Sequence, residues 1–146
     1  MKKKHKYKKF IFIVIFFFLA SSVLSAQSKI REKRKINSIF NKIERGINSS
    51  SASGISEYFN SRVFVSLPNN KKNYFSSNQL FYLLQDYFSS RHIMYFSFDK
   101  VSVDGPNPFG YGNIKYEHLG MRGNSTVYVS LSKIGANWRI TKFVVN

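Results

Sequence analysis

The stretch VYVSLSKIGANWRITKFVVN (Val127–Asn146) decides the fold, because it predicts two strands joined by a tight turn. In its first half, apolar residues alternate with tyrosine and serine, which is the period of a strand with one buried face. Gly135, Ala136 and Asn137 predict the turn, and Trp138–Val145 predicts the second strand. Strands joined by so short a turn pair antiparallel, so the chain ends in a β-hairpin.

The segments before this hairpin predict further strands. Ile93–Val103 is long and rich in aromatic residues and valine, and a glycine- and proline-containing loop separates it from a second strand, Tyr111–Leu119. After a turn at Gly120–Asn124 comes Ser125–Ile134, the first strand of the hairpin. Four successive strands joined by turns predict an antiparallel meander.

Two segments before His92 have helical periodicity instead. Ile36, Ile39, Phe40 and Ile43 are spaced as one face of an amphipathic helix. A second helix begins at Ser76, because the spacing of this serine to Gln79 is that of a capping box. It carries a wide apolar stripe formed by Leu80, Leu83, Leu84, Tyr87 and Phe88.

The residues between these helices predict three short elements. They are a helix at Ile55–Asn60, a strand at Arg62–Leu67 ended by proline, and a polar turn at Asn69–Asn73. Helices early and strands late indicate an α+β domain, with the N-terminal helices packed on one face of a curved antiparallel sheet. We assign this domain to residues 36–146, after a basic polar segment at residues 26–35.

The first 25 residues have the layout of a signal peptide. Six lysines are followed by an unbroken apolar run, Phe10–Ala20, and then by small residues. Cleavage after Ser25 fits best, with Ser22 as the alternative. A helix over the apolar run would reach only about 16 Å, short of a hydrocarbon core of roughly 30 Å. We therefore expect an exported protein, periplasmic or secreted, that meets the membrane only through this segment; an uncleaved N-terminal anchor is the alternative.

Composition excludes some kinds of site and favours one kind of partner. The chain has no cysteine, which rules out disulfides, thiolate nucleophiles and cysteine-based metal sites. Its formal net charge is +16, and residues 26–146 keep +10 because six lysines and no acid precede them. Such a field attracts anionic partners, such as a membrane surface, lipopolysaccharide, polysaccharide or nucleic acid, although charge also serves solubility.

Three stretches resemble a known family. GISEYFNSRVFVSLPN (Gly54–Asn69), NYFSSNQLFYLLQDYFSS (Asn73–Ser90) and the terminal hairpin resemble domain-of-unknown-function family 4783, a family of small secreted bacterial proteins. The resemblance covers about residues 36–146 and implies a cone-shaped fold like that of nuclear transport factor 2 (NTF2), in the cystatin-like superfamily. It implies no activity. Domains of this fold often dimerise through the outer face of the sheet, so it leaves a homodimer open.

Enzymes of the resembled fold place an acid, a histidine or a tyrosine in an apolar pocket, where the pKa shifts enough for proton transfer. Here the best such set is His118 with Asp99 and Tyr95. His118 shares its side of a strand with Ile114 and Tyr116, so it could face the core. These three are the candidates for such a set, and we assign no catalytic residue.

We expect neither a cofactor nor a metal, because His92 and His118 lack the spacing of metal ligands. Nucleic acid is disfavoured by the expected export and by the absence of a recognition signature. A basic segment could lie on an anionic surface, or be simply a solvated helix. It contains Lys29, Arg31, Lys33, Arg34 and Lys35.

These observations favour a non-catalytic protein of the cell envelope that binds a small ligand or an envelope protein through its pocket or sheet face. The first alternative is a small enzyme of the isomerase or dehydratase type, working by proton transfer in an aromatic pocket. The second is a basic protein that binds anionic envelope surfaces.

Overall fold

A computed structural model describes residues 27–68 and 71–146. The predicted signal peptide, residues 1–25, lies outside the described residues. The chain divides into two compact units between Lys35 and Ile36. No helix within the described ranges is both long and apolar enough to cross a membrane.

Three helices and six strands follow one another along these residues. Helix α1 covers residues 27–48. The other elements are α2 (Ser53–Ser56), β1 (Phe59–Leu67), β2 (Lys71–Ser76), α3 (Ser77–Ser89), β3 (His92–Ser102), β4 (Phe109–His118), β5 (Met121–Ile134) and β6 (Asn137–Val145). This is the expected α+β order, because all three helices precede the last four strands, although β1 and β2 lie between α2 and α3.

All six strands form one sheet in the order β2-β1-β6-β5-β4-β3. The predicted meander is confirmed: β3, β4, β5 and β6 pair antiparallel with their neighbours. The sheet is wider than the meander, because β1 pairs parallel with β6 and brings β2 with it. Chain order alone did not show this non-local pairing.

The prediction of a polar turn at Asn69–Asn73 is wrong in its second half, where β2 begins at Lys71. Strand β2 pairs antiparallel with β1 and lies at the edge of the sheet. Its first four residues are exposed, and two of them are lysines. An edge strand of this kind avoids pairing with other chains by carrying charge, so its polar sequence resembles that of a turn.

The short helix predicted at Ile55–Asn60 is also shorter than expected, because α2 spans only Ser53–Ser56. Strand β1 begins at Phe59, three residues before the predicted start. The Tyr58 carbonyl accepts a hydrogen bond from the Ile140 amide, and Phe59 pairs with Ile140. Sheet pairing therefore replaces the helical continuation.

Apolar side chains of the helices and of the inner sheet face form one core. The predicted capping box is confirmed, since the Ser76 hydroxyl accepts from the Gln79 amide and the Gln79 side chain accepts from the Ser76 amide. The largest fully buried side chains include those of Phe40, Phe88, Phe96 and Phe143, which come from both helices and the sheet. These rings fill the space between helices and sheet.

Irregular pairing bends the sheet. The register shifts between Ile93 and Tyr95, between Phe98 and Lys100, and between Ser130 and Leu131. Each bulge bends its strand and increases the local twist. The curvature lets one sheet wrap around the helical core.

Candidate functional site

The three predicted catalytic residues lie at separate places on β3 and β4. Tyr95 pairs with Lys115 and is 56% exposed. Asp99 is an exposed bulge residue, and its carboxylate accepts a hydrogen bond from the Asn113 side chain at 2.8 Å. His118 ends β4. Tyr95 and Asp99 are open to solvent, so they do not share an apolar pocket with His118.

His118 is half-buried and follows Ile114 and Tyr116 on the inner side of β4. Its Nδ1 lies 2.6 Å from the Ser90 carbonyl oxygen. A carbonyl oxygen can only accept, so Nδ1 carries the proton and donates it. The imidazole thus ties the end of α3 to the end of β4, which is a structural role.

A cluster that the sequence did not single out lies beside this contact. Tyr87 on α3 is 2% exposed, and no partner satisfies its hydroxyl within the described residues. The Arg91 guanidinium carbon lies 4.1 Å from the centroid of the Tyr87 ring and 5.7 Å from that of Tyr116. Burial raises the pKa of Tyr87, while the nearby Arg91 charge opposes that rise. The phenol therefore stays protonated near neutral pH.

A second polar cluster joins α1 to the turn after α2. The Lys42 ammonium donates to the Tyr58 hydroxyl at 2.6 Å and lies 3.6 Å from the Glu57 carboxylate. The Tyr58 hydroxyl and then the Glu57 charge raise the pKa of Lys42. This lysine stays charged, which suits an ion pair rather than a nucleophile.

His92 begins β3 and His118 ends β4. His92 pairs with Glu117 across β3 and β4. Within residues 27–68 and 71–146, no three histidine or acidic side chains come together to hold a metal ion.

The basic segment is helical where the structure describes it, from residue 27 onward. Its five basic side chains are exposed. At 100° per residue, Lys29 and Lys33 lie on one side of the helix and Arg31 and Lys35 on nearly the opposite side. The positive charge therefore surrounds the helix. A cavity of about 550 Å³ in this unit has a polar lining of Gln27, Ser28, Arg31, Glu32 and Lys35.

The outer face of the sheet carries a row of aromatic and basic side chains. Phe64 lies between the buried Val63 and Val65 and therefore points away from the core. By the same alternation, Tyr128 on β5 and Lys142 on β6 also point outward. Register places Phe64 opposite Lys142 on one side and opposite Tyr74 on the other.

These side chains touch in sequence across five strands. The Arg62 guanidinium lies 5.4 Å from the Tyr74 ring, and that ring meets Phe64 edge-on at 5.4 Å. The Lys142 ammonium lies 5.6 Å from the rings of both Phe64 and Tyr128. Tyr128 in turn stacks on Phe109 at 5.7 Å, with 21° between the planes. We call the row Arg62, Tyr74, Phe64, Lys142, Tyr128 and Phe109 the outer ladder.

Positive charge predominates around the outer ladder. The pairing also brings further basic residues to this face, and the acids that the described strands place on it are Asp99 and Glu117. The further basic residues are Lys72, Lys100, Lys115 and Arg122. Tyr111, 40% exposed, pairs with Tyr128 and extends the aromatic surface.

Sequence reasoning placed Tyr128 on the side of its strand opposite Val127 and Val129, which was the signal for an outward ring. It could not assemble the outer ladder, because the parallel pairing of β1 with β6 brings Phe64 beside Lys142. That contact joins residues far apart in the chain, and no local period reports it.

Comparison with known families confirms the resemblance. The family model described as "Domain of unknown function (DUF4783)" matches residues 40–146. Comparison with functionally curated proteins finds no match.

Solved structures with the same fold include members of that family. A DUF4783 protein from Bacteroides uniformis ATCC 8492 has a TM-score of 0.66 at 13% identity, covering 73% of this chain and 94% of its own. One from Bacteroides ovatus ATCC 8483 has a TM-score of 0.63 at 14% identity, with coverages of 71% and 90%. An NTF2-like protein with a cystatin-like fold from Novosphingobium aromaticivorans has a TM-score of 0.58 at 11% identity, with coverages of 86% and 87%. At these identities the likeness shows the NTF2-like fold.

Proposed function

The chain belongs to the family of the domain of unknown function DUF4783, and we propose that it is an exported, non-catalytic binding protein of the cell envelope. Its binding surface is the outer face of the sheet, and its partner is anionic. The observation that carries this proposal is the outer ladder, a continuous row of rings and cations across β2, β1, β6, β5 and β4.

Exposed aromatic side chains on a sheet are costly to leave in water, and a contiguous group of them commonly marks an interaction surface. Tyr74 is 57% exposed, Tyr111 beside Tyr128 is 40% exposed, and the rings of Phe64, Tyr128 and Phe109 are half-buried. Edge-on and stacked contacts hold the rings of the ladder in place, so little side-chain entropy is lost when a partner binds.

The positive charge of the outer face favours a partner that carries negative charge. Arg62 and Lys142 belong to the ladder itself, and the rest of the outer face adds more basic than acidic residues. A surface with this excess raises the local concentration of anions and speeds their association. The basic segment at residues 26–35 is a weaker binding surface, because its charges surround a helix and do not share one face.

The geometry of the candidate catalytic residues supports binding over proton transfer. Asp99 and Tyr95 are exposed, while His118 donates to a backbone carbonyl. Large apolar rings fill the inner side of the sheet. A general base for a carbon acid must be shielded from water and within reach of its substrate, and these three residues do not come together in a shielded pocket.

Titration of the purified protein with inorganic polyphosphate, followed by amide chemical shifts, tests the binding surface. We expect the largest shifts at the outer ladder and an affinity that falls as salt is added. Arg62→Gln and Lys142→Gln each weaken binding, whereas the matched control Arg45→Gln, on exposed α1 surface, does not. Shifts confined to residues 27–35, or no binding at low salt, would contradict the proposal.

Export has its own test. N-terminal sequencing of the protein from the periplasmic or secreted fraction is expected to start at Ala26, after cleavage at Ser25. A start at Val23 corresponds to the alternative cleavage after Ser22. A protein found only in the cytoplasm, or an intact chain starting at Met1, would contradict cleavage and export by this segment.

A further inference from the structure

We propose that the anionic partner is an acidic polysaccharide, which lies on the outer face and crosses the strands along the outer ladder. This inference rests on the proposed function and names the chemical class of the partner. The order of the ladder, rather than its charge alone, points to this class.

The spacing of the strands matches the repeat of an extended glycan. Neighbouring strands lie about 4.8 Å apart, which is close to the length of one sugar unit in an extended pyranose chain. The ladder takes one step per strand, from Tyr74 on β2 through Phe64 and Lys142 to Tyr128 and Phe109. An extended glycan that crosses the sheet thus meets a ring or a cation at each unit.

The outer ladder places cations beside aromatic rings, as an acidic sugar requires. The C–H faces of a sugar ring pack against aromatic side chains, and its acidic group needs a cation beside that ring. Lys142 supplies the cation between two rings, with its ammonium 5.6 Å from both Phe64 and Tyr128. Arg62 repeats this arrangement beside Tyr74 at the far end of the ladder. Alternate acidic sugars could therefore bind at both places.

Polar side chains that can bind sugar hydroxyls border the aromatic surface. Sugar hydroxyls need donors and acceptors at the edge of the aromatic surface. The same face carries the exposed side chains of Asn113 and Thr126, which pair across β4 and β5, two residues along from Tyr111 and Tyr128. Tyrosine hydroxyls at Tyr74 and Tyr111 add further groups that donate and accept.

The contacts favour a glycan over single-stranded nucleic acid. Proteins that bind single strands present open ring faces on which successive bases stack. In the outer ladder, cations lie over the rings of Tyr74, Phe64 and Tyr128. Either ligand must displace these cations from the ring faces. The carboxylate of an acidic sugar belongs to the stacking unit and stays beside the displaced cation, whereas a nucleotide carries its charge on the phosphate, away from the stacked base.

Calorimetric titration of the purified protein separates these partners. The probes are a hexamer of galacturonic acid, a neutral galactose hexamer, inorganic polyphosphate and a ten-nucleotide oligothymidine. We expect the acidic hexamer to bind at least about tenfold more tightly than the neutral one, a ratio well within calorimetric resolution. We also expect it to bind more tightly than the oligothymidine.

Variants then test the rings apart from the charge. Tyr128→Leu and Tyr111→Leu are expected to weaken binding of the acidic hexamer by about tenfold, which lies within the range that loss of one stacking ring costs in the binding of nucleobases. Polyphosphate binding should fall less in the same variants than binding of the acidic hexamer, because polyphosphate has no C–H face to pack on a ring and depends mainly on Arg62 and Lys142. Tyr128→Phe keeps the ring, so it should bind as the natural protein does. A loss confined to Tyr128→Leu would then come from the missing ring. The matched control is Tyr82→Leu, which removes a tyrosine 64% exposed on α3.

Four outcomes would overturn the glycan inference. Tighter binding of the oligothymidine, with equal sensitivity to ring loss, would indicate nucleic acid. Equal binding of polyphosphate and the acidic hexamer, without sensitivity to ring loss, would indicate charge alone and leave the proposed function standing. A dimer in sedimentation that Tyr128→Leu dissociates would indicate a second copy on this face. If no anionic probe binds the outer face, the proposed function fails as well.

Discussion

Asn48 on α1 pairs with the backbone of Phe96 on β3 as a neighbouring strand would. The Phe96 amide donates to the Asn48 Oδ1 at 2.8 Å, and the Asn48 Nδ2 donates to the Phe96 carbonyl at 2.8 Å. One turn earlier, Glu44 accepts the Phe98 amide at 3.0 Å. Strand β3 is the last strand of the sheet, so these two side chains satisfy the backbone groups of an otherwise open edge.

Replacing Asn48 by alanine should therefore destabilise the fold more than its exposed position on α1 suggests. The variant loses both bonds and leaves a part-buried amide and carbonyl without partners, a loss of about 2 kcal/mol. Urea unfolding measures it, and hydrogen exchange at the Phe96 amide should accelerate. Asn41→Ala, at an exposed position on the same helix, is the control. Equal stabilities of the two variants would show that the Asn48 hydrogen bonds to the edge strand do not stabilise the fold.

Gly112 permits the closest approach of β4 to β3. A Cβ at this position would lie 1.9 Å from the Ser97 carbonyl oxygen and 2.8 Å from the Phe98 Cα, both of which are backbone atoms. Gly112→Ala must therefore push two paired strands apart, and we expect a loss above about 3 kcal/mol or an insoluble protein. Gly105→Ala meets no atom within 4 Å and should cost only about 1 kcal/mol, from its positive φ. Thermal unfolding compares them, and similar losses would contradict the steric argument.

A substitution in the turn between β4 and β5 should raise the stability of the fold. His118 pairs with Met121, so Leu119 and Gly120 form a two-residue loop, and both have positive φ, 51° and 76°. Such a loop favours Asn-Gly, because leucine is strained in this region. Since Leu119 is 84% exposed, Leu119→Asn loses little packing and should raise stability by about 1 kcal/mol. A lower melting temperature than that of the natural protein would show that Leu119 makes a stabilising contact.

The Tyr87 hydroxyl is buried and has no hydrogen-bond partner among the described residues, so removing it should not harm the fold. Tyr87→Phe keeps the ring beneath Arg91 and removes this polar group, which should stabilise the protein by about 1 kcal/mol. The matched control is Tyr58→Phe, which loses a bond from Lys42 and should lower stability. Chemical unfolding of both variants gives the comparison. A marked loss in Tyr87→Phe would indicate that a bound water or ion satisfies the hydroxyl.

The pH dependence of the same variant provides a separate measurement. Burial raises the pKa of Tyr87 above its ordinary 10.0, so the folded state holds this proton more tightly than the unfolded state does. The stability linked to this proton is complete below pH 10 and is lost as pH rises from there through the folded pKa. The advantage of Tyr87→Phe over the natural protein should therefore widen above pH 10. A constant difference at all pH values would contradict the raised pKa.

The sequence by itself determined the elements whose signals are local. The capping box at Ser76 and Gln79 fixes the start of α3, and alternation fixes which side of β5 is buried, because each depends on residues a few positions apart. The turn at Gly135 is local in the same sense, with a φ of 59° at the first position of its loop. The family likeness rested on these local patterns, and the matching family model confirms it.

Only the tertiary structure decided the edges and the outer face. Lys71–Ser76 becomes a strand because β1 offers it a partner, and β1 itself is held by parallel pairing with β6. The same pairing brings Phe64 beside Lys142 and so creates the outer ladder. Asn48 accepts the Phe96 amide only because α1 packs against β3. Contacts between residues so distant in the chain depend on strand order, which local periodicity does not encode.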